Sequence, residues 1–172
     1  MKRRSLAWIL LPVAIVLMVV VIIVASNYQK EVGIVEPGKG GREAVAAAAE
    51  ARSAAASEVG LVGYDAFSKA LVVAEVAARN MPITNAAEIR LKHALEDVLD
   101  CLRASREAWY ADLEQTWDPA VQGSPRYWQT LHPGLLLDGP LPETLDAAQV
   151  REWSAGDHGA GHWLADALDL VS

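Results

Sequence analysis

Residues 85–115 read NAAEIRLKHALEDVLDCLRASREAWYADLEQ and contain neither Gly nor Pro. Asn85, with Glu88 three residues on, forms a capping box. The Asn oxygen can accept from the Glu88 backbone N–H while the Glu carboxylate reaches back. Leu91, Leu95, Val98, Leu102, Ser105 and Trp109 then recur in alternating steps of four and three, with Lys92, Glu96, Asp97, Asp100, Arg103 and Arg106 on the outer faces. This is an amphipathic helix of about thirty residues, roughly 45 Å long. Its seam needs a cover, and the most economical one is the preceding helix across the short turn at 81–84. A dimeric coiled coil is less economical, because Ser105 weakens the seam and only about three heptads are present. The fold class is all-α.

Working upstream, Tyr64, Phe67, Leu71, Ala74 and Ala78 repeat on one helical face, with Val72, Val73 and Val76 widening the stripe. That helix ends at Asn80, since Met81-Pro82 cannot readily continue it. Residues 42–57 are mostly alanine, the composition of highest intrinsic helix propensity, and make a first helix before Gly60 and Gly63. The region 42–116 is therefore a helical hairpin or bundle. Its Tyr64–Glu96 portion resembles a tetratricopeptide repeat in the placement of Tyr, Ala, Leu and Pro. No second copy follows at about 34 residues and the long helix lacks the expected break, so no family is assigned.

Downstream, residues 117–172 form a Pro/Gly- and Trp-rich acidic region. Pro119, Pro125, Pro133, Pro140 and Pro142, with Gly123, Gly134 and Gly139, exclude long regular elements up to Leu141. Trp117, Tyr127, Trp128 and Leu135–Leu137 argue against disorder, so this segment must pack on something. Two short helices complete the chain. One spans 147–155, with Asp146 as N-cap, Gln149 at the third position and Gly156 at its end; the other spans 161–170.

The N-terminus sets location. Residues 6–25 are twenty consecutive apolar residues, preceded by Lys2, Arg3 and Arg4. As a helix the run is about 30 Å long, the thickness of a bilayer hydrocarbon core. Leu6 and Ala25 bound this anchor, and Trp8 and Tyr28 sit near its ends, where amphipathic rings favour the interface. The run exceeds a signal-peptide core, although 24–26 is a passable cleavage site. Positive residues on the N-terminal side leave residues 1–5 as a cytoplasmic tip and send the rest across the membrane. Five residues are too few for a cytoplasmic output domain. The expected setting is a bacterial inner membrane, crossed once, with the C-terminal domain periplasmic or extracellular. Residues 26–41 read as a juxtamembrane linker, since Pro37-Gly38 and Gly40-Gly41 disfavour helix.

Charge and motifs narrow the function classes. The chain carries −7 overall, yet residues 108–172 hold ten acidic residues against Arg126 and Arg151. Phosphate recognition needs an excess of Lys and Arg, so no nucleic-acid partner is expected. The single Cys101 cannot form an intramolecular disulfide and falls beside the apolar seam. No Gly-x-Ser-x-Gly elbow, Cys-x-x-Cys or haem-attachment motif occurs, and His93 and His132 stand at no telling spacing from a nucleophile. No catalytic residue is named, and no cofactor is implied beyond a divalent metal. The one metal-like cluster is Asp157, His158 and His162, in which two His residues four apart could share a helix face. Clustered Trp109, Tyr110, Trp117, Tyr127 and Trp128 are residue types that anchor protein interfaces, and equally those that close a small core. The expectation is a membrane-anchored accessory, scaffold or assembly subunit of a cell-envelope complex. It would hold lipid through residues 6–25 and another envelope protein through its helical domain, and a homo-oligomer is also compatible. The alternatives are an exported metal- or small-ligand-binding module and a membrane-tethered enzyme of unfamiliar type.

Overall fold

The long helix sits where 85–115 places it: α3 spans Ala86–Leu113 in the computed structural model, which describes residues 38–57, 60–137 and 141–172. Asn85 caps it by accepting from the Glu88 N–H at 2.9 Å. The Glu88 carboxylate is nearly buried and receives the Thr84 N–H and hydroxyl at 2.6 and 2.8 Å, and the Gly38 N–H at 3.3 Å. Hydrogen bonds from Thr84 foremost hold its pKa below the ordinary carboxylate range. The capping residue thus also fastens the start of the preceding sequence to the α2–α3 turn.

That fastening moves a boundary. Helix α1 spans Lys39–Ser57, so Lys39, Gly40 and Gly41 are helical where the sequence suggested linker. The reason is steric: a Cβ at Gly40 would stand 2.9 Å from Pro82 Cδ, so glycine is what lets α1 begin against the turn. Helix α2 spans Gly60–Asn80 and buries Gly63, Phe67, Leu71, Ala74 and Ala78. Val72, Val73 and Val76, expected to widen that stripe, instead stand 47–58% exposed. Alanine explains the narrowing, because the neighbour of α2 is α1, whose buried Ala44, Ala48, Ala51 and Ala55 allow close helix axes and need no broad cover.

The seam of α3 is fully buried from Leu91 to Trp109, but it is not all that α3 buries. Ala94, Leu99, Cys101, Ala104, Ala108 and Ala111 are inside as well. A single partner helix cannot cover two flanks. Helices α1 and α2 lie along one, while α6 (Ala147–Ala155) and α7 (Ala160–Asp169) take the other, so the expectation that α2 alone pairs with the seam is corrected. Ser105, a weak seam residue on paper, donates to the Arg151 carbonyl of α6 at 3.4 Å. Residues from Gly38 onward belong to one compact unit, and every regular element among the described residues is helical.

Between α3 and α6 the prolines start helices rather than merely breaking them. Pro119 and Pro125 occupy first-turn positions of α4 (Pro119–Gln122) and α5 (Pro125–Leu131), where the missing N–H costs nothing. Asp118 caps α4 through the Ala120 N–H at 2.9 Å. Helix α6 carries the expected capping box of Asp146 and Gln149. The anchor residues Leu6, Trp8, Ala25 and Tyr28 lie outside the described residues. Among those described, no helix is long and apolar enough to cross a membrane.

α3 ends in a Schellman motif. The Thr116 N–H reaches the Ala111 carbonyl at 2.9 Å and the Gln115 N–H reaches Asp112 at 3.2 Å, with Gln115 at φ 56°. An L side chain there carries a left-handed penalty of roughly 1–2 kcal/mol. Gln115→Gly removes that penalty and adds unfolded-state entropy, for a net stabilisation of about 0.5–1 kcal/mol. Chemical denaturation should show a higher midpoint at unchanged slope.

Candidate functional site

The five aromatics of 109–128 separate into two groups. Trp109 is buried beneath α2, stacked on Phe67 at 5.9 Å and met edge-on by Tyr64 at 6.0 Å, with the Arg151 guanidinium 4.5 Å from its ring centre. Trp128 is buried beneath the irregular segment, stacked on Trp117 at 5.9 Å and met edge-on by Tyr127 at 5.5 Å. Tyr110 is half exposed, and Trp117 and Tyr127 are half-buried. Trp109 and Trp128 are therefore core, which leaves Tyr110, Trp117 and Tyr127 as the members that reach solvent.

The tryptophans have a second task. An irregular segment lying on a helix must satisfy its own carbonyls. The indole N–H of Trp128 donates to Gln122 O at 2.6 Å, that of Trp153 to Leu136 O at 3.2 Å, and that of Trp163 to Gly134 O at 2.7 Å. Each ring buries apolar area and ends in a donor aimed at a backbone oxygen.

At the middle of this segment lies a constellation the sequence does not announce. His132 is buried with both ring nitrogens engaged, Nδ1 at 3.0 Å from Asp100 and Nε2 at 3.3 Å from Glu107. The other Asp100 oxygen receives the Gly134 N–H at 3.1 Å, and the His132 ring stacks on Trp128 at 6.2 Å. Burial by itself pushes the imidazole towards neutrality, but the two carboxylates outweigh it and hold its pKa above the ordinary value. The hydrogen bond from His132 holds Glu107 below its own ordinary value. Asp100 and Glu107, seven residues apart, share one face of α3, which the sequence makes visible; their partner, thirty-two residues after Asp100, it does not. With a carboxylate of α3 at each ring nitrogen, the arrangement works as an ionic clamp between the loop and the helix. Gly134 completes it, since a Cβ there would fall 2.9 Å from the Asp97 carbonyl.

Of the residues named as a metal cluster, Asp157 and His158 precede α7 and His162 lies on it. Asp157 bonds Arg52 at 3.2 Å, His162 packs edge-on against Trp163 at 4.9 Å, and His158 lies in the turn before α7 rather than on it. Among the described residues no three His, Cys, Asp or Glu side chains group as a metal ion requires. His93 is exposed beside Glu96 at 3.6 Å. Cys101 is buried, and desolvation drives its thiol well above the usual range, so it is inert to ordinary oxidation. An open cleft of about 550 Å³ is lined by Arg52, Leu145, Gln149, Glu152, Trp153 and Asp157 among others. Arg52 spans its floor by donating from Nε to the Ala155 carbonyl at 2.8 Å.

Comparison with known proteins finds no matching family model, no matching curated relative and no matching solved structure.

The clamp has a pH signature. A histidine whose pKa is raised on folding contributes stability fully below its unfolded value of 6.5, and loses it as pH rises through the folded value. Glu107, shifted down, contributes above its unfolded value of 4.5 and loses that contribution as pH falls through the folded one. Stability should therefore fall as pH climbs from near 6.5 through the raised folded value, because over that range the unfolded chain has released a proton that folded His132 still holds. His132→Leu, which leaves Asp100 with the Gly134 N–H but without its cation, should cost on the order of 2 kcal/mol at pH 6 and flatten this alkaline slope. Urea melts across pH 5–9 measure both (about one pH unit per step suffices).

Proposed function

We propose that this chain is a single-pass membrane-anchored accessory or scaffold subunit of a bacterial cell-envelope complex, acting without catalysis through an exported helical domain. The observation carrying this reading is the pairing of a twenty-residue apolar run behind Lys2, Arg3 and Arg4 with a helical domain whose buried residues Glu88, Ser105, His132 and Ser154 have hydrogen-bond partners within the fold, Ser68 Oγ being the one enclosed side-chain polar atom among the described residues without one. In such a domain polar chemistry holds helices in place. Tyr110, Trp117 and Tyr127 are the aromatic side chains available to a protein partner, on a C-terminal region whose acidity suits a basic surface.

Affinity capture of the full chain from detergent-solubilised membranes tests the proposal. It should recover a stoichiometric envelope protein, and Tyr110→Ala with Trp117→Ala should weaken that recovery at least tenfold, equivalent to about 1.4 kcal/mol. A monomer recovered alone overturns the reading.

A second reading, an exported small-ligand or metal module, draws on the cleft beside Arg52, Asp157 and His158. Its volume falls within the range of about 300–1,000 Å³ typical of ligand sites. Among the described residues no three ligands group for a metal, so Zn²⁺ titration of the purified chain decides the metal form of this reading: a binding isotherm that Asp157→Asn reduces upholds it, and a flat calorimetric trace removes it.

A further inference from the structure

Twelve large apolar side chains stand exposed among the described residues, and five of them lie on the outer side of α2: Leu61, Val62, Val72, Val73 and Val76. At 3.6 residues per turn these five fall within about a third of the helix circumference, opposite buried Phe67, Leu71, Ala74 and Ala78. Asp65, Lys69 and Arg79 share the stripe, with Lys69 paired to Asp65 at 2.6 Å, and exposed Ile83 follows just beyond the helix. The stripe is thus apolar and carries two cations against one anion. By contrast, residues 38–172 as a whole hold eleven basic and twenty acidic residues, a net charge of −9.

We infer that the outer face of α2 docks on a lipid bilayer surface. The inference rests on the reading that residues 6–25 span that bilayer. Thirteen residues, 26–38, separate the apolar run from α1, a reach of at most about 45 Å. The chain joins the domain where α2 finishes, because Glu88 holds the Gly38 N–H and Gly40 abuts Pro82 beside Ile83. A domain tethered that closely sees the membrane at high effective concentration, so a weak contact suffices to orient it. Composition also favours lipid over protein. The stripe offers valines and leucine with no Trp or Tyr, and its one arginine, Arg79, is exposed, so it lacks the aromatic anchors on which tight protein interfaces depend. An apolar band with Lys and Arg beside it is what an interfacial helix presents to head groups and acyl chains.

The test uses full chains carrying Val73→Cys, Val121→Cys or Leu17→Cys, each labelled with an environment-sensitive fluorophore and reconstituted in vesicles of phosphatidylcholine and phosphatidylglycerol. The native Cys101 is buried and does not compete for label. The expected result is blue-shifted emission and quenching by spin-labelled lipid at positions 17 and 73, with neither at exposed position 121 on α4. Val72→Glu with Val76→Glu, both at exposed positions, should abolish quenching at 73 while leaving the melting curve in place. Quenching at 17 without quenching at 73 overturns the docking and leaves the anchor standing. Quenching at neither position fails both readings, and quenching at 73 alone upholds the docking without the anchor. A position-73 label shielded without lipid quenching, or a disulfide forming between two unlabelled Val73→Cys chains, assigns the face to a protein or a second copy and overturns the inference.

Discussion

Burial of two flanks of one helix is the constraint from which the rest of the domain follows. Once α3 turns Leu91, Leu95, Val98 and Leu102 to one side and Leu99, Cys101, Ala104 and Ala108 inside as well, no single partner can shield it. The chain answers with helices on both sides. The upstream pair brings alanine and close axes; the downstream pair comes only after a segment too rich in proline to form a long helix. Because that segment carries unpaired backbone oxygens into the core region, its attachment has to be polar as well as apolar. The three indole donors and the His132 clamp meet that need, and they account for Trp128, Trp153 and Trp163, three of the six tryptophans in a chain with one phenylalanine. Phenylalanine fills volume equally well but leaves the carbonyls unsatisfied.

Much of this is legible in the sequence, and the boundary of legibility is physical. Local signals hold: the Asn85 cap, the Asp146–Gln149 capping box, the stop before Pro82 and the buried seam of α3 all depend on residues within a turn or two of each other. What fails depends on distant partners. Gly40 and Gly41 read as linker because nothing in their neighbourhood reveals that Pro82 will press on Gly40. Val72, Val73 and Val76 read as core because periodicity states which residues share a face but not how wide a neighbour will be. The aromatic cluster reads equally as core and as interface from the sequence; in the fold Trp109 and Trp128 lie inside, while Tyr110 reaches solvent.

The candidate site repeats that lesson. Two histidines four apart in sequence draw attention to 157–162, yet a glycine-punctuated turn separates them and Arg52 engages Asp157. The histidine with real electrostatic consequence is the isolated one. Its carboxylate partners sit on a different element, and only the folded chain brings a loop imidazole between them. Spacing along a sequence is a good guide to helix faces and a poor guide to constellations assembled from loop and helix together.

The alanine face of α1 has one more implication. Ala44, Ala48, Ala51 and Ala55 present nearly identical methyl groups at steps of four, three and four. Sliding such a helix by one turn would set alanine where alanine had been, so apolar packing alone discriminates weakly between alignments. Polar contacts near its two ends break the degeneracy: the Gly38 N–H on Glu88, and Arg52 on the Ala155 carbonyl and Asp157. These bonds act as index marks on a smooth ruler, adding little cohesion but selecting one alignment among several of similar apolar fit.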